Sequence, residues 1–208
     1  MSTRDGAAVT KTVEEIRYRI ITGSLNPGEA VRQEDMAREL DVSRAPVREA
    51  LRVLVDQGML EHRVHTGYFV KKRSATELRQ IYMMLEFLES HVMATIEQPS
   101  DAAIVRMRAI NEEMRSCVDS DDWSRMIDLN RRFHFEIFRL SPLTVVLEEL
   151  ERLWTIAAPY IAQKYVTVEM RRRTVSEHDG LITSLDPFDR ERTSALLATH
   201  RMRRSDLG

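Results

Sequence analysis

Apolar residues recur at helical spacing along most of the 208-residue chain, and the breaks in that rhythm divide it in two. Val13, Ile16 and Ile20 line one face of a first predicted helix. Thr12 opens it with Glu15 three residues on, a capping-box spacing, and Gly23 closes it. Asn26-Pro27-Gly28 reads as a turn, and a short helix follows over 32–40. Ser43 is a candidate N-cap for a third helix. Pro46 falls in its first turn, where a missing N–H costs little. Val47, Ala50, Leu51, Leu54 and Val55 mark its inward face, and Gly58 ends it. Residues 59–63 and 68–71 then read as two short strands around Val64-His65-Thr66-Gly67. Three helices followed by a hairpin make a winged helix-turn-helix.

From Thr76 the pattern predicts six helices, over 76–97, 100–119, 122–140, 143–164, 167–185 and 188–204. Ser74, Ser100, Asp121, Ser141 and Asp186 are cap or turn residues near their starts, and Pro99, Pro142 and Pro187 punctuate the boundaries. Pro159 is expected to kink or shorten the fourth of them. Gly6, Gly23, Gly28, Gly58 and Gly67 precede the first of these helices, and only Gly180 and Gly208 follow, so the first third is turn-rich and the rest is long helices. The expected fold is mainly α. Residues 1–73 form the winged helix-turn-helix with its small β-hairpin. Residues 74–208 form an all-helical bundle of six or seven helices.

Composition narrows the function classes. A net charge of −2 excludes a simple polybasic nucleic-acid binder but permits a local basic face. Residues 1–75 hold 13 Lys and Arg against 11 Asp and Glu; the remainder holds 18 against 22. Cys117 alone excludes a disulfide framework and a Cys-rich zinc module, and fits a reducing cytoplasm. No apolar run approaches the roughly 20 residues of a membrane span, and Met1 to Thr10 has no signal-peptide core.

Arg44, Arg48 and Arg52 follow one another at four-residue intervals, about 6 Å apart along a helix axis and opposite the apolar stripe. Alone, such a triplet describes a solvated face, with Arg48 paired to Glu49 or Asp56. Between a helix-turn and a hairpin it suits phosphates and guanine edges, where Arg bonds bidentately to O6 and N7. Ser43 adds a hydroxyl and exposed N–H groups for a phosphate. His65, Thr66 and Gly67 suit a minor groove, and Lys71, Lys72 and Arg73 extend the positive surface.

The stretch from Ile20 to Gly28, then Ala37 to Leu51 with Ser43-Arg44-Ala45-Pro46-Val47-Arg48-Glu49-Ala50-Leu51, resembles the DNA-binding domain of GntR-family transcriptional regulators. Gly58-Met59-Leu60 and Gly67-Tyr68-Phe69-Val70 complete the pattern over residues 10–72. The resemblance implies that Ser43, Arg44, Arg48 and Gly67 contact operator DNA. Glu34 departs from it, standing where some members place a DNA-contacting Arg.

Six histidines occur, and His134, His178 and His200 fall on three different predicted helices. Asn130 and His134, four residues apart, share a helix face. Imidazoles from facing helices, with an Asn130 carbonyl oxygen, are a donor set for one divalent metal; scattered surface or packed histidines are the plainer alternative. Asn130-Arg131-Arg132-Phe133-His134, Glu177-His178 and Thr199-His200 resemble the metal positions of the FCD domain of the FadR subfamily, over residues 76–204. That resemblance implies a metal, zinc first with nickel or manganese as alternatives, able to touch a carboxylate effector. Asn130 stands where Asp is common, which lowers affinity or shifts metal preference. Leu85 stands where many members carry an Arg that meets a carboxylate.

The segment Met83, Met84, Leu85, Phe87 and Leu88 is apolar, and such a stripe is more often core than a ligand box. Leu85, Met84 and Arg131 are the candidate effector-pocket residues. His91 is read as packed or surface, Arg171-Arg172-Arg173 as solvated, and Asp119 to Asp122 as a loop with a helix cap.

The reading is a cytoplasmic, homodimeric, ligand-responsive regulator, a repressor rather than an enzyme. It would bind a palindromic double-stranded DNA operator with two copies and a small-molecule effector in the helical domain. One alternative is a metal-free pocket for a bulkier apolar ligand such as an acyl-coenzyme A. A remote one is a metal-dependent hydrolase, against which no general base has a motif of its own.

Overall fold

A computed structural model describes residues 3–120 and 123–202. Asp121, named above as a cap, and part of the Asp119–Asp122 loop lie outside the described residues. The fold is mainly α, and the chain divides into two compact units, Met1–Ser74 and Ala75–Gly208.

In the first unit α1 (Thr3–Thr22), β1 (Ala30–Val31), α2 (Gln33–Glu39), α3 (Arg44–Asp56), β2 (Leu60–Arg63) and β3 (Gly67–Val70) follow in order. The first helix begins well before Thr12. Thr12 is buried inside it and its hydroxyl donates to Ala8 O at 2.8 Å, so the Thr12/Glu15 spacing is no cap. Gly23 ends α1 at φ +81°, a left-handed position that Gly adopts without strain. The strands form an antiparallel sheet in the order β1-β3-β2, with Leu60 opposite Val70 and Arg63 opposite Gly67. The two-residue β1 is an addition to the expected hairpin; Ala30 pairs with Phe69 and Val31 with Tyr68.

The core of this unit joins Val13, Ile16 and Ile20 of α1 to Val47, Ala50, Leu51 and Leu54 of α3, closed below by Leu60 and Val70. Val55, expected among them, packs only at the edge. Burying the apolar face of α3 leaves its arginine face toward solvent.

The second unit contains α4 (Ala75–Ala94), α5 (Asp101–Ser116), α6 (Arg125–Phe138), α7 (Thr144–Ile161), α8 (Val168–Leu185) and α9 (Arg190–Met202). Ser100 caps α5, its Oγ accepting from Ala103 N at 3.3 Å. Thr167 caps α8 in the same way, its Oγ1 accepting from Met170 N at 3.2 Å. Pro159 lies near the end of α7, which passes into a 3₁₀ turn at Ala162–Tyr165, the shortening expected. Phe133, Phe135, Phe138 and Trp154 are its largest buried side chains, contributed by α6 and α7.

Two expectations fail here. Arg171 is buried, not solvated: it donates to Val118 O at 2.7 Å and Tyr165 O at 2.8 Å, satisfying carbonyls where neighbouring segments end. The methionine-rich stretch of α4 is not mainly core. Leu85 is buried, while Met83 and Phe87 are 63% and 62% exposed. Glu89, on the same helix, is fully buried; it accepts from Trp154 Nε1 at 2.8 Å and from Arg201 Nη1 at 3.2 Å. One carboxylate thus ties α4 to both α7 and α9.

Candidate functional site

The first unit presents its polar chemistry on α3 and the β2–β3 turn. Ser43 occupies the N-cap position in extended backbone, and its side chain makes no capping hydrogen bond. Arg44, Arg48 and Arg52 project from α3 with side chains 71%, 55% and 61% exposed. Each has a carboxylate partner. Arg44 Nη2 lies 2.9 Å from Glu34 Oε1 of α2, Arg48 Nε 3.6 Å from Glu49 Oε1, and Arg52 Nη1 3.1 Å from the same oxygen. The Arg48–Glu49 pairing weighed from the sequence is present. Exposed pairs of this kind are worth about 0.2–1 kcal/mol, so they yield readily to a phosphate or a guanine edge.

At the hairpin tip His65 sits at φ +67° and Gly67 at φ +99°, and Thr66 N donates to Arg63 O at 3.1 Å. This tight turn holds Val64, His65 and Thr66 out in solvent. Arg73, expected to extend the basic surface, instead donates to Gly58 O at 3.0 Å, behind the end of α3.

In the second unit α6, α8 and α9 bring His134, His178 and His200 together. The three residues are 0%, 0% and 8% exposed, and one ligand nitrogen from each lies within 4.8 Å of the others. His134 Nε2 and His200 Nε2 stand 3.2 Å apart. Two imidazole nitrogens at that distance share either a proton or a cation; bonds of ~2.0–2.1 Å at a tetrahedral centre span about 3.3 Å. Asn130 is one turn before His134 on α6. Its Oδ1 is buried with no hydrogen-bond partner among the described residues, an oxygen suited to a hard or borderline cation.

The walls are aromatic. Phe133 stacks on His178 at 3.9 Å between centroids, and the Trp154 ring lies 5.1 Å from that of His134. Glu177, quoted above only as the neighbour of His178, has a role that sequence reasoning missed. It is adjacent to His178 in sequence but serves His200, whose Nδ1 lies 2.6 Å from Glu177 Oε2. A carboxylate only accepts, so Nδ1 is the donor to Glu177, and in the neutral ring this leaves Nε2 as the nitrogen with a lone pair. Arg173 Nε, 3.1 Å from Glu177 Oε1, anchors that carboxylate. The i, i+1 separation of Glu177 and His178 hides this role, because it exists only across α8 and α9.

The other histidines lie elsewhere: His62 packs against Tyr68, and the His91 ring is hydrogen-bonded to Phe87 O at 2.8 Å. Among the three pocket candidates, Leu85 is buried core, Met84 is 38% exposed, and the Arg131 guanidinium lies 5.0 Å from the centre of the Phe135 ring. Leu85 and Met84 face different sides of α4.

Comparison with known proteins places both units. The profile of the FCD domain matches residues 80–203, and that of the bacterial regulatory proteins of the gntR family matches residues 8–70. The chain belongs to the GntR family and carries an FCD domain. It is thus a transcriptional regulator with a DNA-binding GntR domain and an effector-binding FCD domain. This GntR–FCD chain is 26% identical over 191 residues to the HTH-type transcriptional regulator McbR of Escherichia coli, covering 88% of this chain and 85% of the relative. It is 24% identical over 173 residues to the gluconate operon transcriptional repressor of Bacillus licheniformis, covering 83% and 69%. The solved structure of E. coli McbR/YncC superposes with a TM-score of 0.83 at 22% identity, over 98% of this chain and 95% of that one. Among the described residues, no helix of this FCD-domain protein is long and apolar enough to cross a membrane.

Proposed function

We propose that this GntR–FCD protein is a cytoplasmic, homodimeric repressor of the FadR subfamily. In this reading Ser43, Arg44, Arg48, Arg52, His65, Thr66 and Gly67 meet a palindromic operator. A divalent metal, zinc before nickel or manganese, is held by Asn130, His134, His178 and His200. When bound, the metal supplies a Lewis-acidic anchor for a carboxylate effector. The protein's own residues do the rest. Glu177 fixes the His200 tautomer, Phe133 and Trp154 exclude water, and Glu89 clamps α9 to α4 through Arg201.

One observation carries the metal reading: three buried imidazoles converge, and one turn before His134 on the same helix Asn130 has a buried oxygen with no hydrogen-bond partner among the described residues. The exposed apolar residues of α4, Met83, Met84 and Phe87, favour the dimer, since such a cluster is the kind of surface a second copy covers. Against a hydrolase, the Glu177 carboxylate is committed to His200 and Arg173. The repressor reading rests on the gluconate operon relative.

Coupling requires that effector or metal prefer one arrangement of the two DNA-reading heads over the other. The test is metal analysis of protein purified without chelators, wild type beside His134→Ala, together with DNA-binding titrations with and without added zinc. Equal metal content in the two proteins removes the metal site and leaves the reading of a metal-free pocket for a bulkier ligand.

A further inference from the structure

Glu34 lies in the first turn of α2, and the fold sets its carboxylate against the first arginine of α3. Glu34 Oε1 is 2.9 Å from Arg44 Nη2, with side chains 69% and 71% exposed. This pair differs from its neighbours. Arg48 and Arg52 share Glu49 on their own helix, whereas Arg44 is held from another element. A negative charge therefore stands on the surface assigned to DNA, in a unit whose basic excess over acidic residues is already slight.

We propose that Glu34 is a specificity-determining residue of the DNA-reading face, acting by positioning Arg44 and by rejecting phosphate. The inference rests on the reading of α3 as the helix that meets DNA. An arginine presents five N–H donors in a planar fork. The Glu34 contact is at Nη2, so other donors of the fork remain to reach the O6 and N7 of a guanine. An untethered arginine swings to whichever phosphate is nearest. A tethered one keeps its plane, and the adjacent carboxylate repels phosphate oxygens inside the Debye length. Random-sequence DNA thereby loses about one counterion-releasing contact, while a site with a guanine in the right place keeps its gain. A discriminating guanine contact is worth about 5- to 150-fold, whereas an exposed ion pair is broken for about fivefold or less. The pair is thus strong enough to bias binding and weak enough not to prevent it.

The test uses the full chain. Wild type, Glu34→Gln, Glu34→Asp, Arg44→Ala and the double variant Glu34→Gln/Arg44→Ala each select sequences from a pool of random duplexes. Each is then titrated against the wild type's selected duplex and a base-scrambled copy over a salt series. Glu34→Gln is expected to bind the scrambled duplex on the order of fivefold tighter. Its salt slope there should steepen by about 0.9, the increment for one added phosphate contact. Its preference at one guanine position should weaken, Glu34→Asp should retain that preference, and Glu34→Gln should change nothing further in the Arg44→Ala background.

Unchanged slope and preference in Glu34→Gln reduce the pair to a solvated surface contact and overturn the proposal. Equal weakening on both duplexes with a lowered Tm makes the pair structural and overturns it as well. A wild type with no sequence preference defeats the reading of α3 itself. A selective wild type beside an unaltered Glu34→Gln defeats only the role of Glu34.

Discussion

Arg44 and His134 sit in opposite physical settings. The arginine row of α3 is solvated, lies on a single helix and is paired through exposed contacts. The imidazole cluster is sealed from water, drawn from three helices and built into an aromatic core. In the first setting chemistry is separable from stability, because the groups that act are not those that hold the unit together. In the second they are the same groups.

The contrast is tested most strongly at Phe133, which is fully buried and stacks on His178. Phe133→Ala is expected to cost about 3–5 kcal/mol of stability in urea denaturation and, on the proposed zinc reading, to lower zinc content at the same time. A variant that loses the metal at full stability would break the comparison. On the other side, Arg44→Ala or Arg48→Ala should cost about 1–3 kcal/mol of affinity for the selected duplex. Stability should stay within about 0.5 kcal/mol, checked by the same denaturation.

Glu177→Gln sharpens the comparison from within the cluster. It keeps the size of the side chain but loses the charge that meets the His200 Nδ1, so on the proposed zinc reading the affinity should fall about 10- to 100-fold in a chelator competition. An unchanged affinity would detach Glu177 from the site. The smallest effect is expected at an exposed pair of α7. Hydrogen bonding and charge from Arg152 hold the Glu149 carboxyl below its ordinary value. Its contribution is therefore present above the unfolded-state value and lost as pH falls through the folded one. The loss should be about 0.2–0.5 kcal/mol, read as a difference between wild type and Glu149→Gln across the carboxylate range.

The two settings also differ in how far the sequence discloses them. The face of α3 is written in local spacing, so Arg44, Arg48, Arg52 and the wing residues are legible from residue order alone. The three histidines can be nominated from helix membership and a family likeness, but their convergence depends on how α6, α8 and α9 pack. Glu177, Glu89 and Arg171 could not be found this way: their partners lie 23, 65 and 53 residues away. The strand at Ala30–Val31 is too short to carry a pattern and exists through its pairing with Tyr68 and Phe69. At Thr12 a local signature misled, because the helix already runs from Thr3 and the hydroxyl turns back to Ala8 instead of capping.

The clamp of Glu89 on Trp154 has an optical consequence. The chain has two tryptophans, and the indole of one of them is pinned by a buried carboxylate with its ring beside His134. Its emission is expected to respond to the carboxylate on its Nε1 and to the imidazole beside its ring. Trp123, half-buried near Arg171, is the other fluorophore. Replacing it with Phe leaves a protein whose entire indole signal arises from the wall of the histidine cluster, a built-in spectroscopic probe of the proposed site that needs no label.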